Sequence, residues 1–129
     1  MQKKAKILLV DDDEDFVAAT EAVLRSVPYE VVTASTGDEG LQKAKQEKPD
    51  LILLDVIMPV RDGFSAAELI KKEPQLGKIP VIMLTAFSSK GPGSGVPRGR
   101  GFTLSAEDYL EKPIAPSDLL AKVKQYLEK

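Results

Sequence analysis

The sequence predicts an α/β fold in which one doubly wound sheet of five parallel strands, in the order 2-1-3-4-5, is covered by helices on both faces. Two observations carry this prediction. Short, wholly apolar segments alternate along the chain with amphipathic segments of helical spacing, which is typical of a parallel sheet buried on both sides. Several of the apolar segments also stop abruptly at an acid or a hydroxyl. Polar groups are therefore expected to gather at one edge of the sheet.

Each element has its own signal. The apolar, β-rich segments predict strands at residues 6–10, 29–34, 51–54, 80–84 and 109–111. Apolar residues at helical spacing predict helices at residues 13–27, 36–46 and 64–72 and a last helix ending near Leu127. Helix caps are expected at Ser35 or Thr36 and at Ser117, and Asp13 is expected only to cap and charge the start of the first helix.

The stretch between the fourth and fifth predicted strands departs from this pattern. Residues 88–101 hold five of the nine glycines, together with Pro92 and Pro97. Glycine costs about 1 kcal/mol and proline about 3 kcal/mol in a helix interior relative to alanine. We therefore expect the fourth helix to be missing, or shortened to a turn or two near residues 103–108, and residues 88–101 to form a flexible loop.

This predicted loop is cationic, with three basic residues and no acid. Two interpretations stay open. The loop either docks on an acidic partner surface or is a solvated spacer without a role. The basic residues are Lys90, Arg98 and Arg100.

Composition narrows the chemistry. The chain has no Cys and no His, which excludes thiolate nucleophiles, Ser-His-Asp triads and the usual zinc sites. A net charge of −2 gives no reason to expect direct nucleic-acid binding, and no apolar run approaches the ~20 residues that span a bilayer. The 129 residues are the length of one domain, so a single cytoplasmic domain over residues 1–129 is expected.

Polar residues are predicted to converge at the switch point of the sheet, beyond the carboxyl ends of the strands. Carboxylates crowded there would repel one another, and a divalent cation with oxygen ligands, Mg²⁺ above all, removes that cost. A carboxylate can also attack phosphorus, while a lysine and a hydroxyl hold the phosphoryl oxygens. The converging residues are Asp11, Asp12 and Asp13 after strand 1, Asp55 after strand 3, Thr85 after strand 4 and Lys112 after strand 5.

Five sequence blocks resemble the signature of receiver domains from two-component response regulators, which have a flavodoxin-like fold. The similarity covers nearly the whole chain except residues 88–105. The blocks are Leu8-Leu9-Val10-Asp11-Asp12-Asp13, Leu53-Leu54-Asp55-Val56-Ile57-Met58-Pro59, Asp62-Gly63, Leu84-Thr85-Ala86 and Tyr109-Leu110-Glu111-Lys112-Pro113.

The resemblance implies a role for each matching residue. Asp55 would be the phosphoacceptor, and a sensor histidine kinase or histidine phosphotransfer protein would be the donor. The Mg²⁺ ligands would be Asp12, Asp55 and the backbone carbonyl of Ile57, together with Asp11, either directly or through a water molecule. Lys112 and Thr85 would bind the phosphoryl oxygens, and Thr85 and Tyr109 would form the switch pair. Such a domain is a phosphoprotein with at most slow autophosphatase activity rather than an enzyme.

Two other functions fit part of the pattern. A pseudo-receiver keeps the fold but signals by protein binding alone, although such proteins usually lose an acid or the lysine that this chain retains. A carboxylate-nucleophile phosphatase would use Asp11 as nucleophile, which leaves Asp55 and Thr85 without clear roles. Labelling from a small phosphodonor separates the three functions. A receiver gives a stable adduct at Asp55, a phosphatase turns the donor over, and a pseudo-receiver does not react.

Overall fold

The computed structural model describes residues 4–55, 63–85, 107–112 and 114–127, and for residues 63–67 and 85 the description covers the backbone. The elements alternate as the sequence predicts. They are β1 Lys6–Val10, α1 Glu14–Arg25, β2 Glu30–Ala34, α2 Gly37–Glu47, β3 Leu51–Asp55, α3 Gly63–Lys72, β4 Val81–Thr85, β5 Asp108–Glu111 and α4 Pro116–Leu127. The predicted loop at 88–101 and the predicted loss of the helix before β5 lie outside the described residues.

The five strands form one parallel sheet in the order β2-β1-β3-β4-β5, which confirms the predicted topology. The register fixes which residues meet at its carboxyl edge. Val10 pairs with Leu54, so the residues that follow them in the chain, Asp11 and Asp55, lie level with each other. Chain order reverses between β1 and β3, which places these two acids at the switch point.

The core has two halves because successive strand residues point to opposite faces of the sheet. One apolar cluster lies under α2 and α3 and the other lies under α1 and α4. The first consists of Leu8, Val10, Ala34, Ala44, Ile52, Leu54, Ile70, Leu76, Val81 and Met83. The second consists of Ile7, Leu9, Leu24, Val31, Leu51, Leu53, Ile82, Leu84, Leu110, Leu119 and Val123.

The helix starts follow the side chains available. Asp13 caps α1 by accepting hydrogen bonds from the backbone N–H groups of Asp15 (3.1 Å) and Phe16 (3.2 Å). Thr36 caps α2, with its hydroxyl oxygen 3.0 Å from the Glu39 nitrogen. The predicted cap at Ser117 is wrong, since α4 already begins one residue earlier, at a proline. Proline suits the first helical position because its fixed φ is helical and it has no N–H to leave unpaired.

Helix α2 packs closely on strand β1 at a glycine. A Cβ atom added at Gly40 would lie 2.8 Å from Cγ2 and 3.1 Å from Cγ1 of Val10. Val10 is fully buried and is the last residue before Asp11. The missing side chain at this position therefore sets the distance between α2 and the end of β1.

None of the described helices is long and apolar enough to cross a membrane.

Candidate functional site

Two buried carboxylates lie side by side at the carboxyl edge of the sheet. Asp11 is 2% exposed and Asp55 is 7% exposed, whereas Asp12 is exposed at the mouth of the crevice. The parallel pairing of β1 with β3 places the two buried acids level. An unpaired charge in such surroundings would be costly, so their burial depends on a cation.

Lys112, which directly follows the edge strand β5, supplies that cation. Its Nζ lies 2.6 Å from Oδ2 of Asp11 and 3.6 Å from Oδ1 of Asp55. The pairing of Thr85 with Glu111 brings the end of β5 level with the end of β4, and Lys112 follows directly. The structure thus brings together three of the sequence-predicted site residues, which come from strands β1, β3 and β5.

The turn after β1 separates the three consecutive acids into different roles. Oδ1 of Asp11 accepts a hydrogen bond from the Asp13 backbone nitrogen at 3.0 Å, which fixes the Asp11 carboxylate in the crevice. The Asp13 side chain instead caps α1. This agrees with the prediction that Asp13 caps the first helix.

The donor set suits a hard divalent cation. Asp11, Asp12 and Asp55 each offer one carboxylate oxygen, and these three oxygens lie within 4.8 Å of one another. Mg²⁺ binds oxygen at about 2.1 Å in octahedral geometry, so two of its ligands lie at most about 4 Å apart. At least two of the three oxygen pairs would be neighbouring ligands about 3 Å apart, so a closure of up to about 2 Å would bring all three oxygens into one coordination shell. The described residues therefore fit Mg²⁺.

The surroundings of the three acids add to the negative potential. A groove of about 300 Å³ runs from Asp11 and Asp12 along α1 towards the end of β2. No basic side chain is found among the described residues that line it, and clefts lined by one sign of charge concentrate counter-ions. Its other carboxylates are Glu14, Glu39 and Glu21, the last of which is paired with Arg25 at 2.8 Å.

The structure describes two of the three remaining predicted site residues. Thr85 is the last residue of β4, at the same edge as Asp55, and its backbone is described. Tyr109 lies in β5 opposite Met83 and packs against the core cluster under α2 and α3. Burial, and secondarily the charge of Asp108, raises the pKa of Tyr109, so its phenol is neutral at physiological pH. Ile57, the predicted carbonyl ligand, lies outside the described residues.

One side chain at the site was not predicted from the sequence. The Lys112 ammonium lies 4.2 Å from the centroid of the Phe16 ring, in the first turn of α1. By its spacing, Phe16 is one of the apolar residues that predict the helix at residues 13–27. The available signal was its place four residues after Asp12, one helical turn from the crevice.

Comparison with known proteins shows which family the chain resembles. The family model described as "Response regulator receiver domain" matches residues 7–124. The alkaline phosphatase synthesis transcriptional regulatory protein PhoP of Bacillus subtilis is 39% identical over 124 residues, covering 96% of this chain and 49% of that protein. The chain thus spans about half the length of the curated relatives it matches.

Solved structures agree. A putative response regulator from Chloroflexus aurantiacus has a TM-score of 0.86 at 35% identity, covering 98% of this chain and all (100%) of that one. The receiver domain of a sensor histidine kinase from Pseudomonas aeruginosa, solved with a magnesium ion coordinated in its active-site cleft, has a TM-score of 0.87 at 30% identity, with 98% and 100% coverage. Fold, site geometry and relatives agree, and this chain belongs to the family of response regulator receiver domains.

Proposed function

We propose that the chain is a signalling switch in which Asp55 accepts a phosphoryl group from the phosphohistidine of a sensor histidine kinase or a histidine phosphotransfer protein, in a Mg²⁺-dependent reaction. The observation that carries the proposal is the pairing of a buried Asp55 carboxylate with the Lys112 ammonium, 3.6 Å away, within a cluster of three acids. Membership of the receiver family adds support.

The chemistry is a single displacement at phosphorus. A carboxylate oxygen of Asp55 attacks the phosphorus atom, a P–O bond forms, and the P–N bond to the donor imidazole breaks with its electron pair staying on nitrogen. Lys112 is within reach of Asp55 and would hold an equatorial phosphoryl oxygen as charge develops there. Bound Mg²⁺ would supply the remaining charge neutralisation on the acids and the phosphoryl oxygens.

Asp11, Asp12 and Asp55 would hold the metal ion with one oxygen each. Ile57 is proposed to add its backbone carbonyl, on the strength of the family resemblance alone. Thr85, at the end of β4 next to β3, would bind the phosphoryl group through its hydroxyl. Tyr109 in β5 would respond as the second member of the switch pair. In this proposal the chain is a phosphoprotein with at most slow autophosphatase activity.

Mass spectrometry of the intact protein after treatment with acetyl phosphate, with and without Mg²⁺, tests the proposal. We expect a mass gain of one phosphoryl group that requires Mg²⁺ and is abolished by Asp55→Asn, because the amide keeps the shape of the side chain and loses the nucleophile. Asp50→Asn is the matched control, since Asp50 is an exposed acid just before the opposite end of β3. It should be labelled like the original chain.

The other outcomes identify the competing functions. Undiminished labelling of Asp55→Asn would overturn the assignment, and labelling at Asp11 with rapid release of phosphate would indicate the phosphatase. A complete lack of labelling, with the fold intact, would indicate a pseudo-receiver. The expected cytoplasmic location stays a prediction.

A further inference from the structure

We infer that Phe16 is a positioning residue for Lys112, because its ring face holds the ammonium in the crevice between Asp11 and Asp55. The inference rests on the proposed function and deepens it. The distance of 4.2 Å from Nζ to the ring centroid is well within the ~6 Å over which a cation is attracted to an aromatic face. The Lys112 side chain is only 17% exposed, and such an attraction is stronger where water is excluded.

The ammonium has partners on three elements besides its own strand. Asp11 belongs to the end of β1, Asp55 to β3 and Phe16 to α1. Lysine is a point charge on a flexible four-carbon stem, so a single ion pair does not fix where its nitrogen lies. The ring closes the side of the crevice on which α1 begins. Lys112 is therefore restrained between two carboxylates and one apolar surface.

The ring has a distinct task because the two carboxylates change during the proposed reaction. The Asp55 carboxylate becomes an acyl phosphate, whose phosphoryl oxygens are the new partners of Lys112, and Asp11 is a candidate metal ligand. Both changes alter the ion pairs that hold Lys112 in the structure described. The quadrupole of Phe16 does not change, so it keeps the ammonium over the site while the ionic partners of Lys112 are exchanged.

A short chain of hydrogen bonds connects the backbone of Phe16 to the Asp11 carboxylate. The Asp13 nitrogen donates to Oδ1 of Asp11 at 3.0 Å, and the Phe16 nitrogen donates to Oδ1 of Asp13 at 3.2 Å. Phe16 also packs against the core cluster under α1 and α4. These contacts leave a competing explanation, in which Phe16 is only a core residue that happens to lie near Lys112.

A fluorinated series separates positioning from packing. Replacing Phe16 with mono-, di- and trifluorinated phenylalanine keeps nearly the same shape but progressively removes the negative charge of the ring face. We expect the rate constant for labelling by acetyl phosphate to fall stepwise, by about two- to fivefold at the end of the series. Phe16→Leu should match that end point, and Phe16→Trp should restore the rate. The thermal unfolding midpoint should stay constant across the fluorinated series.

Tyr29→Leu is the matched control. Tyr29 packs against the same core cluster but follows the far end of α1, and a 12-residue helix is about 18 Å long. Its labelling rate should be unchanged. A rate that stays flat across the fluorinated series, in a protein that is labelled at Asp55, would overturn the inference and leave the proposed function standing.

A second readout does not depend on phosphorylation. The ring current of Phe16 should shift the NMR signals of the Lys112 ε-methylene protons upfield, and Phe16→Leu should remove the shift. Absence of the shift in the original chain would overturn the inference whatever the labelling result. An upfield shift in a protein that is never labelled would confirm the contact and reject the proposed function instead.

Discussion

The ammonium of Lys112 lies 2.6 Å from a carboxylate oxygen of Asp11, a residue 101 positions earlier in the chain. This ion pair neutralises a side chain that is almost fully buried, and the same ammonium lies 3.6 Å from Asp55. A buried charge that loses its partner is strongly destabilising, whereas an exposed pair contributes little. The pair therefore lets two acids share one crevice before any metal ion binds.

Removing the Lys112 charge should destabilise the fold. For Lys112→Met in the presence of EDTA we expect a loss of about 2–4 kcal/mol in the free energy of unfolding, because Asp11 stays buried without its cation. Urea denaturation at pH 7 measures it. Lys122→Met is the control, since Lys122 pairs with the partly exposed Asp108 at 2.9 Å and should cost about 1 kcal/mol or less. Equal losses in both variants would contradict the buried-pair argument.

Mg²⁺ should stabilise the chain through Asp12. A ligand at 100 times its dissociation constant adds about 2.7 kcal/mol to the free energy of unfolding, so the thermal unfolding midpoint should rise by several degrees in excess Mg²⁺. Asp12→Asn should fold normally, because Asp12 is exposed, but should lose most of this rise. Asp118→Asn, an exposed acid in the first turn of α4, should retain it. The proposed metal site is wrong if both variants respond to Mg²⁺ alike.

A hydrogen bond from Tyr126 to Asp108 should make the stability of the fold depend on pH in the alkaline range. The Tyr126 hydroxyl lies 2.9 Å from Oδ2 of Asp108, and burial together with this bond raises the pKa of Tyr126 to about 12 from an ordinary 10.0. Because the pKa is higher in the folded state, the stabilisation is complete below pH 10 and is lost as pH rises from about 10 through about 12.

Tyr126→Phe tests this dependence. At pH 7 it should cost about 1 kcal/mol in the free energy of unfolding. In urea denaturation curves the gap between the two proteins should stay constant up to about pH 9 and close above pH 10. Tyr109 is present in both proteins, so its own titration cancels. A gap that stays open at the highest pH where the protein folds would count against the bond.

Asp108 gives the opposite dependence at acid pH. Burial raises the pKa of Asp108, but the hydrogen bonds from Lys122, the Tyr109 backbone and Tyr126 outweigh it, and the net pKa lies below the ordinary 3.8. Because the pKa is lower in the folded state, the stabilisation is complete above the ordinary pKa and is lost as pH falls through the pKa of the folded state. Asp108→Asn should therefore be less stable than the original chain at pH 7, and the difference should shrink below about pH 4.

The close approach at Gly40 should make it intolerant of a methyl group. Gly40→Ala gains about 1 kcal/mol of helix propensity, but its Cβ would lie 2.8 Å from a methyl of the rigid, buried Val10. Overpacking of this kind costs about 1–3 kcal/mol, so we expect net destabilisation. A double-mutant cycle with Val10→Ala should show the two changes to be non-additive, because the second removes the clash. Additive effects would show that the contact is unimportant.

The aspartyl phosphate should be long-lived. The residues two positions after Asp55 and Thr85 are Ile57 and Phe87, both apolar, whereas polar groups there could orient an attacking water. Labelled protein freed of donor should therefore lose its phosphoryl group slowly, as followed by mass spectrometry over time. A half-life of seconds, little changed in Phe87→Ala, would contradict this prediction.

The sequence sufficed for the elements whose signals are local. Parallel strands buried on both faces must be apolar throughout, so β1 and β3 were readable directly. The acid and hydroxyl that cap α1 and α2 were also readable, because a cap needs only the next few residues. The predicted ends of β3 and β4 fall one residue too early, since Asp55 and Thr85 are the last residues of their strands. The ladder of a neighbouring strand, and not polarity, decides where pairing stops.

The polar residues that form the site could be named from the sequence, because strand ends and chain order are enough to predict which edge they share. Their pairing could not. Lys112 contacts Asp11 at 2.6 Å and Asp55 at 3.6 Å because the register of three strand pairs sets the heights of β1, β3 and β5. The contact with Phe16 depends on the rotation of α1 about its axis, which packing against the sheet fixes. None of these three contacts is encoded in a local pattern, because each depends on elements far apart in the chain.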